Sequence, residues 1–153
     1  MTIQMEKLEL AAVISDLLDQ QAQCVLATMG ETSPYQHLMA YAFSDDLFTI
    51  YLATYMDTRK FRNMQLNPNV SLIWDNRKGN IQDHLDGYSL SATGLADQLE
   101  GTSQEEARKA IRSRNTTLDN LLTHANCRLF SINLEEYTLT KGYDQVFQFR
   151  RAD

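Results

Sequence analysis

The sequence has no long hydrophobic run and no leader-like amino terminus. Although 43% of its 153 residues are hydrophobic, polar residues interrupt every apolar run within a few positions. A membrane-spanning helix needs about 20 consecutive apolar residues. The amino terminus, MTIQMEKLEL, also lacks the basic segment followed by an apolar run that marks a secretory signal. We therefore expect a cytoplasmic protein without a membrane partner.

Metal ligands and reactive thiols are also scarce. The two cysteines, Cys24 and Cys127, lie in apolar, strand-like segments and lack the spacing of metal ligands. We expect two buried thiols rather than a disulfide. Neither His84 in a polar loop nor His124 at a helix end has a second ligand at metal spacing, so we predict exposed histidines and no metal site. The sequence also contains no nucleophile elbow, no P-loop and no pair of catalytic carboxylates.

Positive charge is in the minority. The chain has 20 acidic residues and 14 Lys plus Arg, which gives a formal net charge of -6. Long-range repulsion by such a body opposes binding to nucleic acid or to anionic membranes. The stretch 53–70 is the exception, because it carries three cations and one acidic residue: Arg59, Lys60, Arg62 and Asp57. A small positive site on an acidic body is suited to a small anionic ligand.

Hydrophobic periodicity predicts the elements of the first half of the chain. Apolar residues at helical spacing predict an amphipathic helix near the amino terminus: Leu10, Ile14, Leu17 and Leu18. Three strands follow, at 23–28, 35–43 and 47–54, and turn-forming clusters separate them. The spacing of apolar residues then becomes helical, which predicts a short helix at 58–66 with Asp57 or Thr58 as its N-cap.

The second half of the chain predicts further strands and one longer helix. NVSLIWD is a strand, RKGNIQDHLDG is a polar loop, and YSLSATGLADQL is a strand with a possible bulge at Gly94. A longer helix is predicted with Thr102 or Ser103 as its N-cap. Two final strands flank the turn KGYD. Since no repeat, linker or low-complexity segment occurs, we expect one domain, 1–153, built as a compact antiparallel barrel of six or seven strands.

One strand-to-helix connection has the composition of an anion site. The third predicted strand ends at Thr54, and the short helix begins near Thr58, so free N–H groups, a hydroxyl, Arg59 and Lys60 converge. Cations at a helix amino terminus are unfavourable unless something negative offsets them. Phosphate is the anion that this arrangement favours.

Three segments together resemble a known family. SPYQHLMAYAF, IYLATYMDTRKFRNMQLNPNVSLIWD and YSLSATGLADQL, in this order, are similar to the pyridoxamine 5'-phosphate oxidase-like family of FMN-binding split barrels, in its general stress protein-like branch. The resemblance covers residues 23–99. It implies a mainly β fold: a split β-barrel of about six antiparallel strands of Greek-key type, an amino-terminal helix and two or three short peripheral helices. It also implies a homodimer that holds FMN between its subunits.

The resemblance assigns cofactor contacts to nine residues. Thr58, Arg59 and Lys60 match residues that hold the FMN phosphate, and Thr54 matches a residue at the same end of the cofactor. Four further residues match the strand segment that runs along the ribityl chain and the isoalloxazine ring: His37, Leu38, Met39 and Ala40. Ser89 matches a position where the partner subunit usually makes a contact.

The chain departs from the vitamin-processing oxidases in two places. It carries His37 where those enzymes carry Arg, which replaces a fixed charge by a weaker, pH-dependent one. Its carboxyl end, TLTKGYDQVFQFRR, lacks their Arg-x-His substrate motif. We therefore expect the cofactor but not pyridoxamine phosphate oxidase activity.

The function that follows is a flavin-dependent oxidoreductase acting on an unidentified small molecule, with no recognisable catalytic residue. A non-catalytic flavin or haem carrier, or a stress-response module, is an alternative on the same barrel. A relative that binds the deazaflavin F420 is another, because that cofactor also presents a phosphate. A cofactor-free interaction protein is the third.

Overall fold

The computed structural model describes residues 5–151. Its first element is helix α1 (Lys7–Gln20), and this confirms the predicted amphipathic helix, because its four buried residues are the four predicted apolar ones. No helix in this range combines the length and the apolarity needed to cross a membrane.

A curled antiparallel sheet of eight strands forms the body of the fold, which confirms the predicted mainly β split barrel. Seven strands lie in the order β2-β1-β5-β6-β7-β4-β3, and β8 pairs with β7. The strands are β1 (Gln23–Met29), β2 (Pro34–Ala40), β3 (Ala42–Phe43), β4 (Thr49–Tyr55), β5 (Asn69–Asp75), β6 (Tyr88–Gln98), β7 (Cys127–Lys141) and β8 (Gln145–Arg150).

Four further helices lie around the sheet within residues 5–151. The short helix after β4 is confirmed as α2 (Arg59–Leu66), with Thr58 as its N-cap. The predicted polar loop contains a single helical turn, and two helices lie between β6 and β7. These elements are α3 (Asp83–Asp86), α4 (Gly101–Arg114) and α5 (Asp119–Leu122).

The second predicted strand, 35–43, is interrupted at Tyr41. The Tyr41 side chain is fully buried, and its hydroxyl donates to the carbonyls of Leu18 and Gln21 at the end of α1. The strand is therefore divided where one residue turns inward to anchor the helix. The next strand begins at Thr49 rather than at 47, because Leu47 lies in a turn with a φ of 76°.

The predicted N-cap of the longer helix is wrong. Helix α4 begins at Gly101, and Glu100 is its N-cap. The Ser103 hydroxyl donates to the Glu100 carbonyl at 2.9 Å, so it does not accept a backbone N–H as a cap would. Gly101 has a φ of 62°, a conformation that glycine adopts without strain.

The sheet curls around a core that contains many aromatic side chains. Trp74 is buried at its centre, with Tyr41 and Tyr137 packed against it at centroid distances of 5.8 and 6.0 Å. The predicted bulge at Gly94 is confirmed by a register shift between β6 and β7, and a Cβ there would lie 2.6 Å from the Asn133 carbonyl oxygen. Both cysteines are buried free thiols, as predicted.

Candidate functional site

The amino terminus of α2 presents unused hydrogen-bond donors. The Thr58 hydroxyl accepts from the Phe61 N–H at 3.4 Å and donates to the Tyr55 carbonyl at 2.9 Å. Within residues 5–151, no protein group accepts a hydrogen bond from the backbone N–H of Arg59 or Lys60. Such free donors at the positive end of a helix dipole attract an anion.

Two cationic side chains lie beside these donors. The Arg59 guanidinium lies 4.4 Å from the centroid of the Tyr35 ring, and burial lowers the pKa of the half-buried Lys60 amine. Neither forms an ion pair in the described part of the chain. Arg62, in contrast, donates to the Asp57 carbonyl at 3.2 Å. Two of the three cations therefore remain available at the helix start.

A cavity of about 280 Å³ opens next to this helix start. We refer to this cavity, together with the Arg59 and Lys60 head groups, as the α2 site. Six of the nine predicted cofactor contacts line the cavity: Leu38, Met39, Ala40, Thr54, Thr58 and Lys60. The Thr54 hydroxyl lies 3.0 Å from that of Thr58, so β4 and α2 are joined at the cavity floor.

Sequence reasoning did not find the opposite wall of the cavity. Ile111 of α4, together with Leu118 and Leu121 beside and within α5, supplies an apolar surface that faces the predicted contacts. The apolar residues of the segments ARKAIRSR and TLDNLL indicate that these helices pack against something. Their position in the sequence does not show which strand they cover. The site is thus polar at one end and apolar at the other.

His37 lies on the inner side of β2 and takes part in a buried hydrogen-bond chain. Its Nε2 atom lies 3.1 Å from the Thr28 hydroxyl, and the Asn63 amide donates to the same hydroxyl at 3.0 Å. Burial lowers the pKa of His37, and the nearby charges of Lys60 and Arg59 lower it further. Thr28 and Asn63 were not predicted, because 35 residues separate them in the sequence.

Ser89 lies apart from the cavity. It is half-buried in β6, where it pairs with Asp75 of β5 and Thr140 of β7. No residue in its neighbourhood lines the cavity at α2. A contact from Ser89 to this site would therefore have to come from another copy of the chain, as the resemblance implies.

A second cavity, of about 450 Å³, is also lined by cations. Arg108 donates to the Leu122 carbonyl and pairs with Glu105 at 3.3 Å. Arg128 donates to the carbonyls of Ala125, in the loop after α5, and of Cys127, at the start of β7. His124 packs edge-on against Tyr55 at 5.0 Å between ring centroids. We call this region, with Arg108, Arg128 and His124, the α5 loop.

The histidines that were predicted to be exposed are exposed, at α3 and in the α5 loop. In the part of the chain that the structure describes, no three His, Cys, Asp or Glu side chains are grouped so that they could hold a metal ion.

A curled antiparallel sheet, with a helix start of unused donors beside a small cavity, defines a split-barrel protein. The sequence model of the family described as pyridoxamine 5'-phosphate oxidase matches residues 10–141. The chain belongs to this family, which confirms the resemblance.

Solved structures share the fold at low sequence identity. A haem-binding protein from Mycobacterium smegmatis has a TM-score of 0.80 and 15% identity, with 97% of this chain and 60% of that chain covered. The haem storage protein HutZ from Vibrio cholerae has a TM-score of 0.71 and 17% identity over 85% and 92% of the two chains. A Clostridium acetobutylicum protein related to general stress protein 26 has a TM-score of 0.72 and 13% identity over 97% and 98%.

This chain thus spans about 60% of the length of the Mycobacterium smegmatis protein. None of the curated proteins compared with it matches.

Proposed function

We propose that this chain binds FMN at the α2 site and acts as a flavin-dependent oxidoreductase on a small molecule. The observation that supports this most directly is the start of α2, where two N–H groups have no acceptor and two cations have no acidic partner among residues 5–151, next to a partly apolar cavity. FMN has the matching polarity, because it carries a phosphate at one end and a flat aromatic ring at the other.

The phosphate fits the polar end of the site. The N–H groups of Arg59 and Lys60 would donate to its oxygens, and the two side chains would balance its charge. An anion there would also raise the depressed pKa of Lys60, since the charged amine would gain a partner. Arg62 has no part in this contact, because its guanidinium is bonded to the Asp57 carbonyl.

The ring fits the apolar end of the site. Leu38, Met39 and Ala40 of β2 would contact one edge of the ring, and the wall formed by Ile111 and Leu121 would contact the other. The cavity of about 280 Å³ is slightly smaller than the roughly 300–1,000 Å³ usual for small-molecule sites. A second copy of the chain would therefore complete the enclosure, and Leu38, which is 69% exposed, is available for that contact.

Bound FMN would supply the electron transfer, and the protein would bind it, orient it and exclude water. Among residues 5–151, the cavity lining includes neither a carboxylate nor an imidazole. The candidate general acids or bases are therefore Lys60, whose pKa is lowered by burial, and His37, which lies outside the lining but near enough for the charges of Lys60 and Arg59 to act on it. Pyridoxamine phosphate is not the proposed substrate, because the carboxyl-terminal Arg-x-His motif is missing.

Haem is the second candidate, because two proteins with the same fold are described as binding or storing haem. Haem iron in proteins is held by His, Met, Cys or Tyr. In this chain His37 Nε2 is bonded to Thr28, and His84 and His124 do not line the α2 cavity. In the cavity lining, Met39 and Tyr55 are the side chains of a kind that ligates haem iron, and no histidine or cysteine from residues 5–151 joins them. The lining therefore supports FMN better than haem.

The test is reconstitution. The purified protein is incubated separately with FMN, F420 and haem, freed of excess ligand by gel filtration, and measured by visible absorption. We expect a retained flavin spectrum on a particle of dimer size. A particle that retains haem or F420 but no FMN would overturn the cofactor assignment, and a particle that retains none would favour a cofactor-free role.

A second measurement separates an enzyme from a carrier. If the FMN-loaded protein is an oxidoreductase, NADH or NADPH should bleach the flavin absorption under anaerobic conditions, and a small acceptor should restore it. A carrier without turnover would keep the oxidised spectrum with both donors.

A further inference from the structure

The hydrogen-bond chain from Asn63 through Thr28 to His37 has a defined direction. The Asn63 Nδ2 atom carries only donor hydrogens, so the Thr28 oxygen is the acceptor of the 3.0 Å contact. Thr28 is 1% exposed and Asn63 is 7% exposed, so water does not substitute for either partner. These hydrogen bonds therefore belong to the interior between β1, β2 and α2.

The Thr28 proton determines which nitrogen of His37 is protonated, because the Thr28 oxygen by itself could accept from both Asn63 and His37. The Thr28 hydroxyl has one proton, and within residues 5–151 the Nε2 atom of His37, at 3.1 Å, is its only acceptor. A neutral imidazole has one donor and one acceptor nitrogen. Since Nε2 accepts, Nδ1 carries the hydrogen, and no group in the described part of the chain accepts a hydrogen bond from it.

The charges around His37 favour the neutral ring. From α2, the cations Lys60 and Arg59 face it, and both lower the pKa of the ring beyond the effect of burial. Thr28 of β1 and Asn63 of α2 are uncharged, and Tyr35 lies on the same side of β2 beneath Arg59. No carboxylate acts on the ring from these elements.

We propose that Thr28 and Asn63 are positioning residues that hold His37 as the neutral Nδ1–H tautomer, so that it recognises an uncharged acceptor on the cofactor. The acceptor is a carbonyl oxygen, a hydroxyl oxygen or an unprotonated ring nitrogen, while the phosphate charge is left to Arg59 and Lys60. This recognition step rests on the proposed FMN site, but the tautomer itself does not.

The ring nitrogens can be observed directly in the ligand-free protein. With histidine labelled with nitrogen-15, NMR chemical shifts distinguish a protonated from an unprotonated ring nitrogen, and His37→Gln identifies the His37 signals by their loss. At pH 7 we expect a protonated Nδ1 and an unprotonated Nε2. A wild-type ring protonated at Nε2, alone or together with Nδ1, would overturn the proposal.

Two near-isosteric variants test the cause. Thr28→Val removes the donor to Nε2, so the ring should change to a mixture of tautomers, whereas Thr28→Ser should retain the wild-type pattern. Asn63→Asp should reverse the direction of both hydrogen bonds. The new carboxylate accepts the Thr28 proton, and the Thr28 oxygen then accepts from a protonated Nε2. If both Thr28→Val and Asn63→Asp kept the wild-type pattern, Thr28 and Asn63 would not be positioning residues.

Cofactor titration tests the recognition step separately. Thr28→Val should weaken FMN binding about threefold to tenfold, the range for one neutral hydrogen bond, and Thr28→Ser should restore it. Unchanged affinity in Thr28→Val would remove His37 from cofactor recognition. Absence of FMN binding to the wild-type protein would overturn the proposed function instead, and the NMR result would still decide the tautomer.

Discussion

The α2 site and the α5 loop both place cations beside a cavity next to α4 and α5, but their donors are used differently. In the α5 loop, the guanidiniums of Arg108 and Arg128 bond backbone carbonyls, and Arg108 also pairs with Glu105. At the α2 site, Arg59 and Lys60 have neither acidic nor carbonyl partners in residues 5–151. Unused donors, rather than the number of cations, therefore distinguish the α2 site from the α5 loop.

The difference also follows from the local backbone. A helix amino terminus exposes N–H groups, which add to the attraction of the cations for an anion. The end of α5 and the loop after it expose carbonyls, which accept hydrogen bonds from Arg108 and Arg128. Substitutions in the two regions should accordingly affect different properties of the protein.

The largest effect is expected at the α2 site. The double substitution Arg59→Ala and Lys60→Ala should weaken FMN binding by at least about 100-fold, because each charge-assisted contact contributes about 1.5–3 kcal/mol. Fluorescence titration of FMN measures the affinity. Arg62→Ala is the matched control, since it removes a cation from the same helix and should change the affinity less than about twofold. Equal losses in both variants would mean that only the overall charge matters.

In the α5 loop the expected effect is on stability. Arg108→Ala leaves the Leu122 carbonyl without its partner and should lower the free energy of unfolding by about 1–2 kcal/mol. Urea denaturation measures this change. FMN affinity should stay within about twofold of the wild type, and a tenfold loss of affinity would break the distinction between the two regions.

Removing the N-cap of α2 should affect stability and binding together, but less strongly. Thr58→Ala removes the acceptor of the Phe61 N–H and should cost about 1 kcal/mol, which lowers the Tm by about 2–4 °C. Differential scanning calorimetry measures the shift. Thr58→Ser retains the hydroxyl and should behave as the wild type, so a serine variant as unstable as the alanine variant would contradict a capping role.

The smallest effect is expected in the pH dependence of stability. The pKa of His37 is lowered from its usual 6.5 in the folded protein, so the unfolded chain binds the proton more readily. The contribution of His37 is therefore fully present above about pH 6.5 and is lost as the pH falls below that value. Urea denaturation at pH 7.5 and 5.5 should show a smaller difference in His37→Gln than in the wild type. His124→Gln, in the α5 loop, is the matched control, and an unchanged difference in His37→Gln would contradict this assignment.

Local signals in the sequence were sufficient for the α2 site but not for its surroundings. Thr58, the cations and the end of β4 lie within a few residues, so turn and capping rules place them correctly. Tyr41 could not be predicted to divide a strand, because its partners lie about 20 residues away at the end of α1. The same limit applies to Thr28 and Asn63, and to the wall formed by Ile111 and Leu121, whose place depends on how α4 packs against β4.

The wall has a further property that follows from where the chain leaves the sheet. Both of its helices lie in one continuous segment between Gln98, which pairs with Phe130, and Cys127, at the start of β7. The Leu99 N–H bonds the Leu129 carbonyl at 2.8 Å, so the two ends of this segment are already joined. Doubling the length of a loop costs only about 0.6 kcal/mol in closure entropy. One side of the cavity is therefore formed by a segment whose length could change at little cost in closure entropy, while the start of α2 on the other side stays the same.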